Sequence, residues 1–342
     1  MKSHFYSRSA LITCILLATA CAEKVPTPPP EVENASTPET VVENAAEKRF
    51  APPAAWTCPV QPGTAPSGEL TAERITTANS TRPEAGLFEG PVWIGDTLYF
   101  SDFTFAEGFP SRIQALKSDG TVITAIDNSG SNGLAMDDAG FLLAATHDRK
   151  AISRYNPHTG EREILVNEYE GNPFNSPNDM TLSRSGILYF TDPSYQRAAA
   201  PGGQDKTRVY QFDGETVSVI DDTLENPNGV SLSPDQTTLY VAGGSVVRAY
   251  PIENGTVGTG RDILSVNTPD GMAVDCAGNL YVTEHNLQHV RVVSPTGDEI
   301  AKIKVDANIT NAAFGGPERK TLFITGAGAV WKLELDIAGL PY

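Results

Sequence analysis

Cysteine, histidine and positive charge are all scarce in this chain of 342 residues. There are four cysteines and five histidines. No cysteines form a C-x-x-C pair and the histidines are scattered, which excludes a zinc site built from them. Lys and Arg number 25 against 42 Asp and Glu, for a formal charge of −17. No basic stripe exists, which excludes a nucleic-acid surface. No Gly-x-Ser-x-Gly elbow is present to supply a serine nucleophile. No apolar run reaches the ~20 residues that a spanning helix needs, and no segment after residue 70 keeps a helical period.

The one apolar run near the start, Ala10 to Ala20, follows Lys2 and Arg8 and ends at Cys21. A basic start, a short apolar core and small residues at its end are the layout of a secretory leader. Leu17-Ala18-Thr19-Ala20-Cys21 also resembles a bacterial lipobox, in which the cysteine is acylated. Residues 1–20 are therefore expected to be a lipoprotein signal peptide and Cys21 the lipidation site. The protein would then be exported and anchored to a membrane facing the periplasm, the outer membrane first, with no membrane contact beyond the lipid. Residues 21–55 hold seven prolines and six glutamates. They bury too little to offset chain entropy, so they read as a disordered tether. Taking the +2 of residues 1–20 and the −3 of residues 21–55 from −17 leaves −16 for residues 56–342. Cys14 leaves with the leader. In an oxidising compartment the remaining pair, Cys58 and Cys276, is expected to be bonded, with two buried free thiols as the alternative.

Six stretches share one layout, opening at Glu89, Asn132, Asn178, Asn228, Asp270 and Asn311. The spacings are 43, 46, 50, 42 and 41 residues, close to the ~45 of β-propeller blades. The fourth repeat shows the internal order: Val230-Ser-Leu-Ser233, a turn at Pro234-Asp235, Thr238 to Ala242, then Val246 to Tyr250, a hairpin signal at Asn254-Gly255, and Arg261 to Leu264. Short β-branched and aromatic runs punctuated by Gly, Pro, Asn and Asp read as strands. Four strands per repeat and six repeats predict an all-β, six-bladed β-propeller. The sixth repeat lacks its last strand, and Glu73 to Thr77 is expected to fill the gap and close the ring.

This layout puts each opening residue at the head of an innermost strand, beside the axis. Alone, an Asn-Gly or Asp-Gly is a turn signal. Together, Glu89, Asn178, Asn228 and Asp270 bring two carboxylates and two amide oxygens to one point, a set that suits a hard divalent cation. Ca²⁺ is the first expectation, with Mg²⁺, Mn²⁺ or Zn²⁺ as alternatives. Residues after each second strand should rim the same face. His147, Asp192 and His285, each after a second strand, and Asn132, axial in the second repeat, are expected to contact substrate. The loops Phe103 to Pro110 and Pro193 to Lys206 should set specificity. Asn311, followed by Ala312 and Ala313, reads as structural, and Asp179 as a residue that orients a ligand.

Four phrases carry a family resemblance: Phe88-Glu89-Gly90-Pro91-Val92-Trp93, Ser176-Pro177-Asn178-Asp179, Pro227-Asn228-Gly229 followed by Ser233-Pro234-Asp235, and Pro269-Asp270-Gly271-Met272. In this order they resemble the SMP-30/gluconolactonase (regucalcin) family over roughly residues 86–335. The resemblance implies a six-bladed propeller with one divalent metal in its channel and, in many members, lactone hydrolysis. The family's metal-binding Glu, two Asn and Asp fall on Glu89, Asn178, Asn228 and Asp270, and its general base on Asp270. Ser176 stands where the animal branch has Arg, so the bacterial gluconolactonase branch is the nearer match. The expected function is a metal-dependent hydrolase that opens a lactone ring, acting as a monomer on a small molecule. A phosphotriesterase-like hydrolase and a non-catalytic, metal-stabilised binding propeller are the alternatives.

Overall fold

A computed structural model describes residues 57–341. The expected leader, the lipidation site at Cys21 and the tether lie outside the described residues. Among the described residues there is no α-helix, and two single-turn 3₁₀ helices, Arg197–Ala199 and His285–Leu287, interrupt a chain of strands. The strands form six blades of a β-propeller. The first blade is Gly86–Ile94, Thr97–Thr104, Ser111–Lys117 and Val122–Ile126, each strand antiparallel to the next. The inner strands of the other five are Ser131–Met136, Met180–Leu182, Val230–Leu232, Pro269–Val274 and Ile309–Gly315.

The fourth blade has the strand order expected of it. Val230–Leu232, Thr238–Gly243, Val246–Glu253 and Arg261–Ser265 pair in sequence. Asn254 and Gly255 have φ of 51° and 78°, as a two-residue hairpin turn requires. The sixth blade takes its outer strand from the start of the domain. Glu73–Asn79 runs antiparallel to Ala329–Glu334, with Glu73 opposite Lys332 and Arg74 opposite Trp331. One strand was not foreseen: Gly68–Thr71 adds in parallel to Glu299–Lys304 and gives the fifth blade a fifth strand. Its four residues carry little alternation to mark them.

The far ends of the inner strands turn over side-chain caps. Asp137 Oδ1 accepts from the N–H of Ala139 and Phe141, and Asp275 Oδ1 from those of Ala277 and Asn279. Cys58 is disulfide-bonded to Cys276, with Cα atoms 5.4 Å apart. Beside it, Ala338 N–H donates to Pro62 O and Cys276 N–H to Ala338 O, both at 2.8 Å. The two ends of the domain are thus clasped on the face where the first turns lie, away from the heads of the inner strands. The core is apolar and mainly aliphatic, with aromatic clusters such as Phe174, Phe190 and Tyr210, whose centroids lie 5.2 Å apart.

Candidate active site

The inner strands carry a repeated irregularity at their heads. Pairing slips between Glu89 and Val92, Ser131 and Leu134, Pro269 and Met272, and Ile309 and Ala312. Glu89, Asn132, Asp270 and Asn311 sit at these bulges, which re-aim side chains out of the alternating pattern. Asn178 and Asn228 stand just ahead of their inner strands. Their N–H groups donate to Thr191 O at 2.9 Å and Ala242 O at 2.7 Å.

Glycine follows the opening residue in four blades, and there the next blade comes close: its backbone at Gly90, Gly133 and Gly229, and the Asn311 side chain at Gly271. Gly133 N–H donates to Asn178 O at 2.6 Å and Gly229 N–H to Asp270 O at 3.1 Å. A Cβ on Gly229 would stand 2.4 Å from Asp270 O, and one on Gly133 2.4 Å from Asn178 O. So Asn-Gly and Asp-Gly at these places mark contact between blades, not turns. Hydroxyls reinforce the contact: Ser101 Oγ donates to Asn132 O at 2.6 Å, and Thr191 Oγ1 to Asn228 O at 2.7 Å.

Above this ring lies a cavity of about 520 Å³. Glu89, Asn132, Asn178, Asn228, Asp270 and His285 all line it. His285 Nδ1 is 3.4 Å from Asp270 Oδ2. Tyr195 and Gln196 reach the cavity from the Pro193 to Lys206 loop, and Phe103, Phe105 and Phe109 from the other expected loop.

Two expected substrate contacts are placed elsewhere. Asp192 does not line the cavity. It is fully buried, and its two oxygens accept from Asn175 N–H at 2.9 Å and Ser176 N–H at 2.7 Å. It fixes the segment that leads to Asn178. His147 is also fully buried, with Nε2 2.7 Å from Phe109 O, and stands behind the aromatic side of the cavity. Both follow a second strand as expected, but the loops fold over them. Sequence reasoning missed Lys150, a buried cation whose Nζ donates to Asn175 O at 2.6 Å and Arg197 O at 2.9 Å. It ties the Asn178 segment to the Pro193 to Lys206 loop, and a single Lys in a turn gives no signal of that. Asn311 lies beneath the site, where its Nδ2 donates to Asp179 Oδ2 at 3.2 Å.

Acid is concentrated here without cationic relief. Burial, then the carboxylates of Asp270 and Asp179, push Glu89 well above the usual carboxylate range. Burial chiefly pushes Asp179 up to about 7. Asp270 is raised by burial against the opposing pull of His285 and Asn228. The neighbouring Asp270 carboxylate in turn raises His285, against the opposing effect of burial. Asp270 Oδ1 and Asn132 Oδ1 are buried with no hydrogen-bond partner. Unpaired buried oxygens beside like charges are costly in themselves.

Residues 87–328 match the family model described as SMP-30/Gluconolactonase/LRE-like region. The chain belongs to this family. Among its relatives, a gluconolactonase of Zymomonas mobilis is 30% identical over 293 residues, covering 73% of this chain and 79% of that one. A pentonolactonase of Haloferax volcanii is 31% identical over 259 residues, covering 71% of this chain and 82% of that one. The solved structure of a gluconolactonase from Xanthomonas campestris superposes with a TM-score of 0.67 at 29% identity, covering 81% of this chain and 100% of that one. The SMP-30/gluconolactonase assignment and the propeller geometry therefore agree.

Proposed function

We propose that the chain is a metal-dependent hydrolase that opens a lactone ring in the axial cavity. The observation that carries this reading is Asp270 Oδ1, buried and unpartnered at the floor of a cavity shared with Glu89, Asn178 and Asn228. Among the described residues no group of three or more His, Cys, Asp or Glu side chains is arranged to hold a metal. The set proposed here has two acids, with amide oxygens completing it. Oxygen-only donors of mixed charge fit a hard cation such as Ca²⁺, and two carboxylates balance its charge. Relatives named gluconolactonase, lactonohydrolase and pentonolactonase support a lactone as substrate.

Glu89, Asn178, Asn228 and Asp270 would hold the cation, which supplies Lewis acidity at the lactone carbonyl. Asp270 takes the proton of the water that attacks the carbonyl carbon. His285, with Nδ1 3.4 Å from Asp270 Oδ2, stands beside that carboxylate to position it. The ring C–O bond then breaks, its oxygen takes up a proton, and a hydroxy acid leaves. Tyr195 and Gln196 line the cavity beside these residues.

The test is a pH-stat assay of a lactone panel with wild type and Asp270→Asn. Removing the base should lower kcat/KM at least ~100-fold, with an unchanged circular dichroism spectrum. Near-normal turnover by the folded variant would refute the role of Asp270. Turnover of a phosphotriester with none of any lactone would replace the reading.

A further inference from the structure

The cavity has two unlike sides. Glu89, Asn178, Asn228 and Asp270 supply a polar one, whereas Leu87, Phe103, Phe105 and Phe109 supply an apolar one. No Lys or Arg lines the cavity, and its one basic side chain, His285, is taken up by Asp270 on the polar side. Phe105 is 55% exposed, and its ring meets that of buried Phe103 edge-on at 5.9 Å. Phe109 has φ of 51°, a conformation unfavourable for a bulky side chain.

Specific contacts hold this surface in place. Phe109 N–H donates to Ala106 O at 2.9 Å. Phe109 O meets the Nε2 of fully buried His147 at 2.7 Å. The same imidazole packs edge-on against Phe103 and Phe109, with centroids 5.9 and 6.2 Å away. A buried histidine and a left-handed backbone thus keep aromatic rings facing an open cavity. Aromatic surface held against water is unfavourable unless an apolar group covers it.

We infer that the lactone taken by this site carries an alkyl substituent that lies on the Leu87, Phe103, Phe105 and Phe109 surface while the ring oxygens meet the polar side. This rests on the lactone-hydrolase reading above. The buried, unpartnered carbonyl oxygens of Asn132 and Gln196, which also line the cavity, can accept from hydroxyls on the ring itself. A polyhydroxylated chain would instead press its hydroxyls on phenyl rings, where they find no partners. His147 is on this account a positioning residue for the aromatic surface.

The experiment uses the full chain loaded with Ca²⁺ and γ-lactones bearing methyl, propyl and pentyl groups, with glucono-δ-lactone beside them. Each added methylene should raise kcat/KM by up to about fourfold, mainly through KM. From methyl to pentyl the gain should exceed about tenfold. Phe105→Ser should flatten that slope. A flat or falling series, or a preference for glucono-δ-lactone over every alkyl lactone, would overturn the inference and leave lactone hydrolysis standing. If no lactone is turned over, the functional reading fails. Calorimetric binding then decides the apolar side separately: tighter binding of the pentyl than of the methyl lactone supports it, and equal binding overturns it.

Discussion

Asp192 and His285 stand at the same place in their blades, directly after or at the end of the second strand, yet they do different things. His285 reaches the cavity and Asp270. Asp192 turns inward and holds two backbone N–H groups. Asp192→Ala should therefore destabilise the fold by about 2–4 kcal/mol, since it strands those buried donors. It should also weaken cation binding by releasing the segment before Asn178. Urea unfolding and calorimetric Ca²⁺ titration measure the two effects, and a variant of wild-type stability and affinity would refute the role. Position in the repeat was enough to put Glu89, Asn132, Asn178, Asn228 and Asp270 around one cavity, because strand register dictates it. What the loops cover was not legible. The burial of Asp192 and His147 depends on contacts with Asn175, Ser176 and Phe109 that have no period in the sequence.

At the level of the strand, the inner heads work by close approach. Gly229 shows this, since its Cβ would meet Asp270 O at 2.4 Å and Gly271 Cα at 2.8 Å. Its φ is not positive, so a substitution there acts through space alone. Gly229→Ala should push the fourth and fifth inner strands apart and displace Asp270. The expected cost is about 1–3 kcal/mol in stability, with a drop in kcat/KM of at least tenfold. Equal activity in the alanine variant would mean that the ring absorbs the extra carbon elsewhere. The strands themselves were legible, because β-branched and aromatic runs and turn residues parsed the fourth repeat and the spacing carried that order to the others. The bulges were not, since an extra residue in a strand leaves no mark in its apolar pattern. The parallel strand Gly68–Thr71 escaped for a related reason: its partner, Glu299–Lys304, is more than 200 residues away.

For the whole molecule, closure and orientation follow from where the ends lie. Glu73–Asn79 completes the sixth blade, and the Cys58–Cys276 bond spans 218 residues of sequence. Replacing both cysteines with serine should lower stability by about 2 kcal/mol, the lower end for a native bridge, because the blades already carry a core. Denaturation of the double variant beside the oxidised and reduced wild type measures it. The bond sits at the first turn of the fifth blade, at the opposite end of its inner strand from Asp270. The central claim is that the axial oxygens act through a bound cation. It is tested most directly by stripping the protein with chelator and following lactone ring opening as Ca²⁺ is added back. The account predicts that activity disappears on stripping and returns in a saturable titration at one ion per chain. Full activity retained in excess chelator would contradict it.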